Sequence, residues 1–388
     1  MKFGRPWMFG MLVAALVCAL GFVSAAAQGR GQGAAQGAAQ AAPQPPPMAE
    51  SVFKNVQVLK GIPVDEFMDV MGMFSAALGY DCSSCHSPLI SSNRDAFAVA
   101  TPNIQRARQM ILMTNAINRT NFAGVQRVSC FTCHRGHYRP EMVPDLALQY
   151  GELRDDPNSM VIFPDRQVTS PQVFEKYLRA LGGADRLAKL TSYVATGTYA
   201  GFNTGGADLP VEIYARAPLQ ISQVVRAPDS VGVKTFDGRN AWASEGWRPM
   251  PLMTFSGGNL AGAKVDAVLA FPAGLQQAFS QWQVSSATID DEPVQILQGT
   301  NAGDLPVNFY FDDDGLLVRQ VRWNRTATGT VPTQVDYSDY KDVAGVKMPF
   351  HIVVTWTDGQ NTIVLKEIRP NVAIDAARFA RPAPFVRK

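Results

Sequence analysis

The stretch Met71-Gly-Met-Phe-Ser-Ala-Ala-Leu-Gly-Tyr-Asp-Cys82-Ser-Ser-Cys85-His86 decides the reading of this chain, because its last five residues recur in type as Cys130-Phe-Thr-Cys133-His134. Each pentapeptide spells C-x-x-C-H. Two thiols at that spacing reach the two vinyl groups of one porphyrin, and the histidine that follows supplies an axial ligand to its iron. The remaining cysteine, Cys18, lies near the start of the chain, which leaves four thiols for two covalently attached haem c groups. A structural zinc site made from two C-x-x-C knuckles is the first alternative. It has no use for a histidine after each knuckle, and it usually closes a shorter gap than that between Cys85 and Cys130. A disulfide framework has no place for the repeated histidine either.

Outward from this core, 388 residues are enough for two domains with packed interiors. A net charge of +2 without a lysine or arginine run argues against a nucleic-acid partner, and the composition argues against a multi-span membrane protein. Lys2 and Arg5 precede an apolar stretch from about Trp7 to Val23, followed by Ala25-Ala26-Ala27. Residues 1–27 therefore read as a secretory signal cleaved near Ala27, which predicts a periplasmic mature chain with no membrane span. An uncleaved anchor is the alternative. Val17 stands where a lipoprotein signal places a small residue, so Cys18 is expected to leave with the signal. Residues 28–50, rich in Gly, Ala, Gln and Pro, read as a low-complexity linker.

Ahead of the first motif, Pro63, Asp65 and Glu66 predict a helix start, and Gly79 predicts its stop. Val64, Phe67, Met68, Met71, Phe74 and Leu78 fall on one face at helical spacing, which puts Met71 on an expected buried stripe. Met71 is either core or the sixth ligand that a low-spin haem needs. Ser87 to Ala100 reads as a loop. Thr101-Pro102 predicts a second helix to about Asn118, carrying Met110, Met113 and Ile117 on one side, with Arg106 and Arg108 placed to meet haem propionates. His137 is too near His134 in sequence to reach the opposite porphyrin face.

The run from Met71 to His86, then Arg108-Gln-Met-Ile-Leu-Met-Thr-Asn-Ala-Ile-Asn, then Val128-Ser-Cys-Phe-Thr-Cys-His-Arg-Gly, resembles the cytochrome c subunit of photosynthetic reaction centres over residues 52–145. That family carries haems in pairs, each with a helix ahead of C-x-x-C-H whose methionine binds the distal face of the iron. The resemblance implies Met71 as the sixth ligand of the first haem and Met110 as that of the second. Two sites stand here where four are usual, so the resemblance implies a dihaem bacterial relative.

Beyond a loop-like boundary from Asp155 to Asp165, Ser170-Pro171 opens a helix that Gly182-Gly183 closes, and the pattern then turns to strands. Nine are expected: Ser192 to Tyr199, Val211 to Ala215, Gln220 to Val225, Val294 to Gln298, Val307 to Phe311, Leu316 to Trp323, Thr333 to Tyr340, His351 to Thr357 and Thr362 to Glu367. Turns at Asp237-Gly238, Asp314-Gly315 and Asp358-Gly359 punctuate them. A mostly helical insert, about Leu260 to Phe279, interrupts the series. Asp312-Asp313-Asp314-Gly315 lacks the distal Glu of a calcium loop and reads as a turn. His351 reads as a packed or exposed strand residue. The strands, the opening helix and the phrases Phe236-Asp-Gly-Arg-Asn-Ala-Trp242 and Tyr310-Phe-Asp resemble the periplasmic lipoprotein carriers, which implies a half-open β-barrel with a concave apolar sheet.

The expected molecule is multidomain, with a mainly α-helical dihaem cytochrome c domain at 51–157 followed by an antiparallel β domain at 165–388. Cys82, Cys85, His86, Cys130, Cys133 and His134 hold the cofactors, and His86, Met71, His134 and Met110 bind the irons. The expected activity is one-electron transfer to redox protein partners, without a substrate-converting site. The alternatives are a dihaem peroxidase-type oxidoreductase, and a protein whose β domain binds a lipid or apolar ligand with haem as sensor.

Overall fold

Proline fixes the chain as it enters the first long helix. Pro63 (φ −60°) is extended and caps helix α1, Val64–Leu78, with Asp65 and Glu66 in the first turn, where the helix dipole favours acids. Gly79 ends the helix in the left-handed region (φ 66°), and a Cβ there would stand 2.5 Å from the Gly136 carbonyl oxygen. The computed structural model describes residues 45–385 except 92, 145, 147–157, 229 and 246–249. Residues 1–27, read from the sequence as a signal, most of residues 28–50, read as a linker, and the start of the expected boundary near Asp155 lie outside the described residues.

Thr101 caps helix α2, Pro102–Asn121, by accepting from Ile104 N at 3.2 Å. This helix runs three residues past the expected Asn118. The stretch read as a loop from Ser87 to Ala100 holds two 3-10 turns, Pro88–Ser91 and Arg94–Ala98, the second capped by Asn93. Helix α3, Cys130–His134, contains the second motif.

The buried side of α1 differs from expectation. Val64 is buried as expected, but so are Val70, Gly72, Met73 and Ala77, whereas Phe67, Met68, Met71, Phe74 and Leu78 are only half-buried. At roughly 100° per residue, the Met71 stripe points away from the Asp65, Gly72 and Met73 side. That opposite side packs on the β-sheet, and apolar periodicity missed it because half of its contacts are polar.

After helix α4, Ser170–Ala180, the described residues form an antiparallel sheet of thirteen strands. The first six are β1 Ser192–Gly201, β2 Leu209–Arg216, β3 Gln220–Ala227, β4 Ser230–Phe236, β5 Ala241–Ser244 and β6 Met253–Thr254. Helix α5, Gly257–Ala270, and a 3-10 turn, Pro272–Ala278, follow as the expected insert. The rest are β7 Gln281–Ile289, β8 Glu292–Thr300, β9 Val307–Phe311, β10 Leu317–Thr326, β11 Gly329–Val343, β12 Val346–Trp356 and β13 Gly359–Pro370. Their order is β6-β5-β4-β3-β2-β1-β13-β12-β11-β10-β9-β8-β7, so each half is a meander and the halves join where β1 pairs β13. All nine expected strands are present. The missed ones, β4 to β7, are short or mix serine, glutamine and lysine into the pattern, as strands near a sheet edge do.

Residues from β1 to β4 and from β10 to β13 line one cavity, so the sheet is curled around a concave face. The main core fills that face: Val173, Phe174 and Tyr177 of α4 and Val265 and Val268 of α5 pack on Ile213, Phe309, Phe311 and Leu365. Residues 158–165 cross the outer face. Gln283 and Gln298 donate to the carbonyls of Ile162 and Met160, Ser285 to that of Phe163, and Asp165 N to that of Val284. The Asp312 to Gly315 run is the expected hairpin turn, closed by Gly315 N to Asp312 O at 2.9 Å. His351 sits on β12 with Nδ1 2.9 Å from Ser338 Oγ.

The helical part and the sheet fall in one compact unit, Pro43–Lys388. Asp65, 1 % exposed, accepts from Ser256 N at 2.6 Å and Ser256 Oγ at 2.7 Å at the start of α5. Asp69 accepts from Asn259 and Asn324. Burial raises the Glu66 carboxyl above its usual range, against a hydrogen bond with the Ala327 backbone. Gly72 abuts Thr357 so closely that a Cβ would lie 2.5 Å from its hydroxyl. Met73 packs against Val331 and reaches Gly329, which has no room for a side chain.

Candidate cofactor site

The first motif opens as a single 3-10 turn, Cys82–Ser84, because the Asp81 carboxylate accepts from Ser84 N and from the hydroxyls of Ser83 and Ser84. Those bonds hold the Asp81 carboxyl below its ordinary range. The carbonyl of Cys85 accepts from Thr101 Oγ1 at 2.7 Å, and that of Ser84 from Asn103 Nδ2 at 2.9 Å. The residues that start α2 thus also fix the motif. The His86 ring lies edge-on to Phe97, with centroids 5.1 Å apart. Its Nδ1 is buried without a partner in hydrogen-bond geometry. Burial keeps the imidazole below the usual histidine range, opposed in part by a polar contact from the Phe97 backbone.

The second motif is helical because Ser129 and Thr132 cap it reciprocally, with Ser129 Oγ accepting from Thr132 N and Thr132 Oγ1 from Ser129 N. His134 Nδ1 stands 3.0 Å from the His137 carbonyl oxygen. Facing an acceptor, Nδ1 must carry the proton, which leaves the Nε2 lone pair free for a metal. His137 therefore acts through its backbone. Its ring is 3.7 Å from Glu141.

Both motifs meet the C-terminal end of α1. Gly136 N donates to Ala77 O at 2.9 Å, Cys130 packs on Met73 and Ala77, and the rings of Tyr80 and Tyr138 stack at 5.3 Å. Arg106 donates to the Tyr138 hydroxyl and Arg108 to the Asn55 carbonyl. The tyrosine pair and the Thr101 and Asn103 ties escaped the sequence, since no local pattern signals a partner so far along the chain. The four described cysteines, those of the two motifs, form no disulfide: Cys82 and Cys133 are exposed, Cys85 is half-buried and Cys130 is buried. Burial raises the Cys82 thiol, aided by the Asp358 and Asp81 carboxylates, and pushes Cys130 up to about 11. Among the described residues, no three His, Cys, Asp or Glu side chains gather as a metal-binding group.

Met71 packs beside Leu59, Val70 and Ile111, so the two methionine-bearing helices touch there. Met110 is half-buried and Met113 is 44 % exposed. Paired thiols, one imidazole with Nδ1 pinned and the other with Nδ1 unsatisfied, and a half-covered apolar stripe bearing a thioether together fit a covalently attached haem.

In the sheet, a cavity of about 200 Å³ lies among Tyr177, Tyr193, Ile213, Leu269 and Ile363. Lys234, Asp266 and Arg322 stand at its wall, with Arg322 Nη1 3.0 Å and Lys234 Nζ 3.6 Å from the Asp266 carboxylate.

Residues 24–150 match the family described as photosynthetic reaction centre cytochrome C subunit, and the match spans both motifs and both methionine helices. The helical segment is thus similar to a cytochrome c subunit. Residues 258–366 match a family of unknown function, DUF6544. Similar solved structures include a DUF1329 family protein from Desulfovibrio piger, 12% identical over 54% of this chain and 96% of that one, with a TM-score of 0.37. Another is a LolA superfamily protein from Nitrosomonas europaea, 11% identical over 55% of this chain and 98% of that one, with a TM-score of 0.36.

Proposed function

We propose that the protein is a periplasmic dihaem c-type cytochrome that passes single electrons between redox proteins. In this reading Cys82 and Cys85 hold one haem, and Cys130 and Cys133 the other. Each thiol would add across a vinyl double bond, its proton going to carbon, so that attachment would consume no oxidant. His86 and His134 would hold the irons through Nε2, and Met71 and Met110 would supply thioether ligands. The supporting observation is the His134 Nδ1 to His137 carbonyl contact, which sets the tautomer that an iron ligand needs. Haem supplies a one-electron Fe(III)/Fe(II) couple, and thioether opposite imidazole favours its reduced form. The chain's part is to fix both rings: Thr101 and Asn103 hold the first motif, and the Ser129–Thr132 box holds the second. Among the described residues no helix is long and apolar enough to cross a membrane. Periplasmic placement rests on the signal pattern of residues 1–27.

A reduced-minus-oxidised redox titration of the purified holoprotein, with intact mass, tests the reading. The expected result is the processed chain plus two haems, both low-spin and both slow to bind carbon monoxide. A readily liganded haem would favour the dihaem peroxidase, and a single haem or bound zinc would overturn the proposal. The sheet cavity favours a second role in holding a lipid or apolar molecule. Extraction of the purified protein and mass spectrometry of the extract checks it.

A further inference from the structure

The helical part has a charge pattern that haem attachment does not use. From Ala96 to Pro140 there are six arginines, no lysine, and neither aspartate nor glutamate. Arg106 and Arg108 are engaged in hydrogen bonds, with the Tyr138 hydroxyl and the Asn55 carbonyl. Arg119, Arg127, Arg135 and Arg139 are exposed. Asn118, 7 % exposed, accepts from the backbone N–H groups of Arg127 and Val128 at 2.9 Å and donates to the Val128 carbonyl. That clamp sets Arg127 beside the end of α2 that carries Arg119. Phe122, Val125 and Phe131 stand exposed in the same stretch, and Phe131 lies inside the second C-x-x-C-H motif. The first acid beyond it, Glu141, pairs with His137.

We propose that this face docks an acidic one-electron redox protein, which makes the second motif the point where electrons enter or leave. The proposal rests on the electron-carrier reading. Opposite charge steers encounter and raises the association rate by one to three orders of magnitude. The composition points to a protein rather than a lipid surface: arginine and aromatic residues are enriched at protein interfaces and lysine is depleted, whereas membrane-binding basic segments draw on both basic residues. In the transfer the partner loses one electron and the haem iron gains it, with no bond or proton moved.

The test is stopped-flow reduction of the oxidised holoprotein by a reduced acidic blue-copper protein, by a reduced basic cytochrome c and by a small neutral reductant. With the acidic donor the rate should fall about tenfold or more as salt rises, and with the basic donor it should rise or stay level. Arg119→Glu with Arg127→Glu should cut the acidic-donor rate about tenfold at low salt, with the haem spectrum and the small-reductant rate unchanged. Arg119→Gln with Arg127→Gln should give a smaller loss and guards against misfolding of the charge reversal. A rate with the acidic donor that ignores both salt and substitution overturns the proposal. So does loss of binding to phosphatidylglycerol vesicles in the variant while donor kinetics stay the same. Failure of the small reductant to reduce the chain overturns the electron-carrier reading itself.

Discussion

Met110 and Met113 differ by only about 60° around α2, and the choice between them shows what a single residue can carry here. Family resemblance selects Met110, which is half-buried, whereas Met113 is 44 % exposed. Met110→Leu should remove the weak thioether-to-iron absorption at the red end of the oxidised spectrum for one haem, open that iron to carbon monoxide and lower its potential. Met113→Leu should keep the ligation and cost about 1 kcal/mol at most, as a near-isosteric swap does. Ligand loss in the Met113 variant alone would move the assignment by one helical turn. The two C-x-x-C-H motifs were legible because each lies within five consecutive residues. The tyrosine stack and the carbonyl opposite His134 were not, because each depends on a contact that the fold creates.

At the scale of elements, α1 is a helix with two employments. One side presents Phe67, Met71 and Phe74, and the other places Asp65, Asp69, Gly72 and Met73 against the sheet. Asp65 joins it to the start of α5. Asp65→Ala should leave the Ser256 N–H without its acceptor and destabilise the holoprotein by about 1–3 kcal/mol, seen as a lower thermal midpoint with haem content retained. Asp65→Asn keeps one acceptor and should lose less. An unchanged midpoint in both variants would mean that the junction carries no stability. Apolar periodicity identified the helix and its stop but assigned its most buried side wrongly. An aspartate at 1 % exposure reads as solvent-facing until its partner, 191 residues away, is known. The sheet shows the same limit: β5, with four residues, and β6, with two, are too short to display an alternation.

For the whole molecule, the sheet has its own core of strand, α4 and α5 residues and contains no cysteine. Expressed from about Pro164, it should fold without haem and melt cooperatively, with Gly329 and Val331 newly exposed where Met73 packed. A soluble but unfolded fragment would show that the helical part completes its core. The pairing of β1 with β13 has a further consequence, which concerns time. Joining the sheet's halves needs a strand made almost last, and contacts this distant in sequence form slowly. Cys130 is covered partly by Val331 of β11, in the half that β13 joins to β1. Part of the cover on this thiol therefore comes from chain made long after it, and part from Met73 and Ala77 of α1, made before it. A chain stopped before residue 329 should leave Cys130 more open to alkylation than the finished apoprotein does, and equal labelling of the two would show that Met73 and Ala77 of α1 alone cover the thiol.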